Sequence, residues 1–160
     1  MIICGLRRTN MLMDTQIAAF RRFNRFYTRE LGLLRRNFLG SPWSLGEMRV
    51  LYEVWMRPGL LAKEIAEELD LDAAYLSRLI SRFEKQDIVR REPSDRDARE
   101  LHLFLTANGL RQVEETDAVQ KSAVSRVLEG LSEDEQVELT SAMQRIETLI
   151  ETSRQKNVEH

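Results

Sequence analysis

Two stretches of this 160-residue chain hold residue types at spacings that could do chemistry. In the first, Ala74, Ser77, Arg78, Ser81 and Lys85 recur at helical intervals, with Arg82 at the edge of the same face. A face that begins small and continues basic lets its first turns approach a groove floor while cations reach phosphate or guanine. Arg78, about two turns in, is placed for a bidentate pair with a guanine edge; the competing reading is a surface salt bridge to Glu67 or Glu68. For Tyr75 and Ser77, bonds to phosphate or base stand beside plain surface or packing roles. Arg82 and Lys85 are expected on phosphate. In the second stretch, Asp95, Arg96, Asp97, Arg99 and Glu100 crowd charge into one short segment. Alone this is a solvated turn. After a basic-faced helix it reads as a loop tip whose Arg96 and Arg99 enter a minor groove roughly 6 Å wide, held by Asp95 and Asp97.

Other chemistries find little support. Cys4 is the single cysteine, and His102 and His160 are far apart, so neither metal-ligand spacing nor an acid/base dyad is present. No cofactor, no metal and no enzymatic activity are expected. Cys4 has only Arg7 and Arg8 nearby to stabilise a thiolate, and is read as inert. No run approaches the roughly 18 apolar residues of a membrane span, and MIICGL is too short and lacks a basic flank for a secretory signal. A cytoplasmic protein is expected. The net charge of -2 conceals an asymmetry. Residues 1–57 carry ten Lys/Arg against four acids, residues 58–106 eight against eleven, and residues 107–160 six against eleven. Such a chain suits polyanion binding on limited patches.

The elements that must position these residues are mostly helical. Ile17, Phe20, Tyr27, Leu31, Leu34 and Phe38 recur at helical spacing, which predicts a long amphipathic helix over Asp14 to Asn37, stopped at Gly40-Ser41-Pro42. Ser44-Leu45-Gly46-Glu47 is a capping box opening a second helix to about Met56. Pro58-Gly59 breaks it, and AKEIAEEL forms a short third helix with Ala62, Ile65, Ala66 and Leu69 on one face. Asp70-Leu71-Asp72 turns the chain, and Asp72 caps the helix that carries the basic face, with Leu76, Leu79, Ile80 and Phe83 on its opposite stripe. Ile88 to Arg91 and Leu101 to Leu105 read as two strands joined by the charged loop, Pro93 ending the first. A helix from Thr106 through Leu128 and another from the Ser132–Glu135 capping box to about Ser153 complete the chain.

Helix, short helix, turn, helix and hairpin is the order of a winged helix-turn-helix, with REPSDRDAREL as the wing. The chain resembles the MarR family of bacterial transcriptional regulators from about Phe20 to Leu149, most strongly in LDAAYLSRLISRFEKQDIVRR and in SDRDARELHLFLTANG. Asp97, Arg99, Leu105, Thr106 and Gly109 match the family's wing pattern. Two positions depart from it: Asp87 stands where Gly is usual after the recognition helix, and Ala98 where Arg is frequent. The resemblance implies a mainly α fold with a small β-hairpin, one domain over 14–153 with its winged core at about 44–106, and dimerisation helices at about 14–38 and 107–153. It implies a homodimer in which two lobes read a pseudo-palindrome in double-stranded DNA. The N-terminal part is also similar to proteins that fuse a MarR-like domain to a GNAT acetyltransferase, although no acetyltransferase sequence follows. The alternative function is therefore a winged-helix protein-interaction or regulatory module, such as the excised N-terminal domain of such a fusion.

Phe20, Phe23, Tyr27, Trp43, Tyr52 and Trp55 fall in the first two helices and the loop between them, and an aromatic stripe at helical spacing reads first as core. The resemblance adds a second reading. Phe23, Tyr27, Trp43, Tyr52 and Trp55 would line a pocket for a small aromatic or phenolic effector, with Arg22 or Arg25 meeting an anionic group.

Overall fold

Leu76, Leu79, Ile80 and Phe83, spaced at i, i+3, i+4 and i+7 along one helix, are buried together at the centre of the fold. The structure, a computed structural model, describes residues 3–30, 38–94 and 100–158, with side chains from 12 to 157. In order, the elements are α1 (Ile3–Glu30), a 3-10 turn (Phe38–Gly40), α2 (Leu45–Met56), β1 (Leu60–Leu61), α3 (Ala62–Glu68), α4 (Ala73–Lys85), β2 (Val89–Pro93), β3 (Leu101–Leu105), α5 (Ala107–Leu128) and α6 (Glu133–Val158). They fall into two compact units, Met1–Val119 and Gln120–His160.

The first unit holds the core. Val50, Leu51 and Val54 of α2, Ile65 of α3, the α4 stripe, Ile88, Val89, Leu103 and Val113 all lie out of solvent. The local chemistry that begins each helix is visible. The Ser44 hydroxyl accepts the Glu47 N–H at 3.3 Å while the Glu47 carboxylate accepts the Ser44 N–H at 2.8 Å, which satisfies two donors the first turn of α2 would otherwise leave open. Asp72 Oδ1 accepts the Tyr75 N–H at 2.7 Å to start α4. After α3 and after α4 the chain turns through Asp70 (φ 51) and Asp87 (φ 56). In both turns an N–H returns to close the helix end, from Leu71 to Ala66 O and from Ile88 to Phe83 O, each 2.9 Å. Asp87 thus adopts the left-handed conformation that its place after the recognition helix suggests, and Asp tolerates it better than most residues.

Two expectations need correction. The sheet is not a two-stranded hairpin but three antiparallel strands in the order β1-β3-β2. Leu60 and Leu61 pair with Leu103 and His102, and a two-residue strand shows no alternation from which it could be read. The first helix begins at Ile3, well before Asp14, and takes in the backbone of Cys4. The expected end of this helix, with Leu31 and Leu34, lies outside the described residues. Phe38 is buried in the 3-10 turn and not on the helix.

In the second unit, the Glu135 carboxylate accepts the Ser132 N–H at 2.8 Å and the Ser132 hydroxyl accepts the Glu135 N–H at 3.4 Å, the second capping box. The Ser132 backbone N–H is the main reason the Glu135 carboxyl is held below its ordinary value. α6 runs past Ser153 to Val158.

Candidate nucleic-acid interface

With its apolar stripe buried, α4 turns the opposite side outward. Ala74, Tyr75, Ser77, Arg78, Arg82 and Lys85 are exposed and Ser81 is half-buried. The small-then-basic order of the sequence is therefore the order of a real surface. Among the described residues Arg78 makes no ion pair, and the carboxylates weighed as its partners are turned elsewhere or open: Glu68 lies 3.7 Å from Arg57. Arg82 is engaged. Its guanidinium bonds the Glu47 carboxylate of α2, and Glu47, Tyr75, Arg78, Leu79 and Arg82 together line a shallow hollow between the start of α2 and the outer face of α4. Burial by itself would raise the Glu47 carboxyl, but the Ser44 N–H and then the Arg82 guanidinium outweigh it, and the group sits below its ordinary value.

The hairpin beside α4 is anchored at its base. Val89 to Pro93 pair with Leu105 to Leu101 in register, and the Ser94 N–H donates to Glu100 O at 2.9 Å. Pro93 closes β2, where its missing N–H costs the ladder least. Arg91 reaches Glu84 of α4 at 3.4 Å and Lys63 of α3 reaches Glu100 at 3.6 Å. Arg90 covers the Phe104 ring at 4.8 Å. On β3, His102 Nδ1 lies 2.5 Å from Gly59 O, and the Gly59 N–H donates to Leu103 O at 2.8 Å, so the turn before β1 is tied to the wing strand. The tip itself, with Arg96, Asp97 and Arg99, lies outside the described residues.

The aromatic residues read together as one group separate into local pairs. Trp43 is buried edge-on against Phe83, with ring centres 5.2 Å apart, so the core reading holds there. Phe23 and Tyr27 stack on each other at 5.7 Å along α1 and are exposed, as is Phe20 at 62%. Tyr52 and Trp55 meet edge-on at 5.5 Å on α2. For the α1 rings the core expectation fails, because helical periodicity reports an apolar face and not what covers it. Glu47 was recognised from its spacing only as a cap. Its reach across to Arg82, 35 positions later, has no signature in local sequence.

The exposed face of α4 and strand β2 fall within residues 43–101, which match the MarR family model. Over that segment the chain is similar to the MarR family. The MarR-like chain is 26% identical over 104 residues to the uncharacterized HTH-type transcriptional regulator YwaE of Bacillus subtilis (strain 168). That match covers 65% of this chain and 61% of YwaE, less than two thirds of the relative's length. It is 29% identical over 139 residues to the HTH-type transcriptional regulator MgrA of Staphylococcus aureus, covering 86% of this chain and 88% of MgrA. Among solved structures, Streptococcus pneumoniae FabT in complex with DNA superposes with a TM-score of 0.66 at 19% identity, over 90% of this chain and 98% of that one. At that identity the likeness establishes the shared winged helix-turn-helix fold. Among the described residues of this MarR-like chain, no group of three or more His, Cys, Asp and Glu side chains could hold a metal ion, and no helix is long and apolar enough to cross a membrane.

Proposed function

We propose that the chain is a cytoplasmic regulator of transcription that binds double-stranded DNA sequence-specifically as a homodimer. The observation that carries this reading is the outer face of α4, small at Ala74 and Ser77, then cationic at Arg78 and Lys85, held out by a fully buried apolar stripe. A helix so mounted can enter a major groove about 12 Å wide. Arg78 then meets a guanine edge, Tyr75, Ser77 and Ser81 meet base or backbone, and Lys85 meets phosphate. Arg96 and Arg99, held by Asp97, take the minor groove beside each half-site. Relatives named as transcriptional regulators and a neighbour solved with DNA support the same reading. A protein-docking winged helix would instead expose an apolar face there.

Effector binding is the further part of this reading. The Phe23–Tyr27 pair on α1 and the Tyr52–Trp55 pair on α2 are the rings this reading assigns to a small aromatic or phenolic molecule, together with Trp43, which packs against Phe83 in the core. Selection of bound duplexes from a random pool, with and without such molecules, tests both parts. Enrichment of a pseudo-palindrome is expected, weakened by an effector. Recovery of no preferred duplex would overturn the DNA reading.

A further inference from the structure

Arg82 looks like one more phosphate contact, but its surroundings give it another task. Its guanidinium bonds the Glu47 carboxylate and lies 5.7 Å over the Phe83 ring. Glu47 is itself fixed: its side chain is only 16% exposed, against 48% for Arg82, and its other oxygen accepts the Ser44 N–H. A carboxylate pinned by its own capping box is a rigid anchor, unlike the flexible partner of an ordinary surface ion pair, which contributes little. The hollow walled by Glu47 and Arg82 also contains Arg78 and Tyr75. Releasing a pinned guanidinium to reach phosphate would leave the largely covered Glu47 carboxylate without its cationic partner beside a polyanion.

Resting on the proposed DNA-binding function, we infer that Arg82 is a positioning residue. Clamped by Glu47, it joins the first turn of α2 to α4 and holds the wall against which Arg78 stands, so that the pair sharpens base preference and adds no phosphate contact. Second-layer groups that fix the rotamers of contacting side chains commonly set the discrimination that those contacts achieve.

The test uses the full-length protein, the duplex selected above, and a scrambled duplex of equal length, titrated at several salt concentrations. Glu47→Gln is the informative variant, because glutamine keeps the capping box while removing the charge that holds Arg82; unchanged helicity and a retained cooperative melting transition verify the fold. Glu47→Gln and Arg82→Gln should each reduce the preference for the selected over the scrambled duplex about tenfold, within the range of one mispaired base. The double variant should lose no more than either single one. The salt slope on the scrambled duplex should not change. If Arg82→Gln instead lowers that slope by about one unit and Glu47→Gln tightens binding to both duplexes, Arg82 is a phosphate contact and the inference is wrong. An unmodified protein that distinguishes neither duplex would defeat the DNA-binding reading itself, a separate outcome.

Discussion

A methyl group on Gly109 would sit 2.0 Å from the Ile88 carbonyl oxygen, so this glycine is required by close approach and not by its dihedral angles. The Thr106 hydroxyl donates to Asp87 O at 2.6 Å and accepts the Gly109 N–H at 3.0 Å, which seats the first turn of α5 on the end of the recognition-helix turn. Leu-Thr followed by Gly is thereby a packing motif. Gly109→Ala should cost about 3 kcal/mol in urea unfolding, since backbone carbonyl and not a flexible side chain must move. Asp87→Gly should do the opposite, gaining about 0.5 kcal/mol by relieving a left-handed residue. At the proposed interface, Arg78→Ala should lose about 1 to 3 kcal/mol at one base position and leave the others intact. Arg99→Ala should weaken all sites and lower the salt slope by about one unit. Asp97→Ala should weaken binding too, although charge alone predicts the reverse; tighter binding would mean that the acid does not hold Arg99. Residue types were legible in the sequence here because their spacing on a helix decides their side. The engagement of Arg82 was not, since Glu47 lies on another helix.

Among the elements, those that begin with a side-chain cap were readable and the others less so. Ser44, Asp72 and Ser132 each satisfy open backbone donors locally, and a local cause leaves a local signature. β1 has no such signature. It exists because Leu60 and Leu61 meet β3 more than forty positions later, a pairing that no window of sequence contains. α1 was read from its stripe, and the extension back to Ile3 adds the Gly5 segment, whose helix propensity is poor. The α2 cap carries a pH dependence. Because folding holds the Glu47 carboxyl below its ordinary value near 4.5, its stabilisation is present above that pH and is lost as pH falls through the lowered folded value. Acid titration of stability should therefore be shallower in Glu47→Gln than in the unmodified protein. Ser44→Ala should cost about 1 kcal/mol at neutral pH.

For the molecule as a whole, a single chain leaves much apolar surface in water. Met13, Phe20 and Phe26 on α1, Val127 on α5, and Val137 and Leu149 on α6 are each about half exposed or more, a concentration on the terminal helices that is costly unless a partner covers it. A second copy is the proposed partner, and sedimentation should give about twice the 18.7 kDa of one chain. A dimer with one α4 per lobe implies half-sites whose centres lie about one turn, roughly 10 base pairs, apart. Arg78→Ala, carried through the random-pool selection beside the unmodified protein, joins the residue to the assembly in one measurement. The selected pseudo-palindrome should lose its preference at one position in each half-site, symmetrically, while the half-site spacing is retained. Unchanged preferences, or a loss confined to one half of the site, would contradict the reading of α4 as the element by which each subunit recognises DNA.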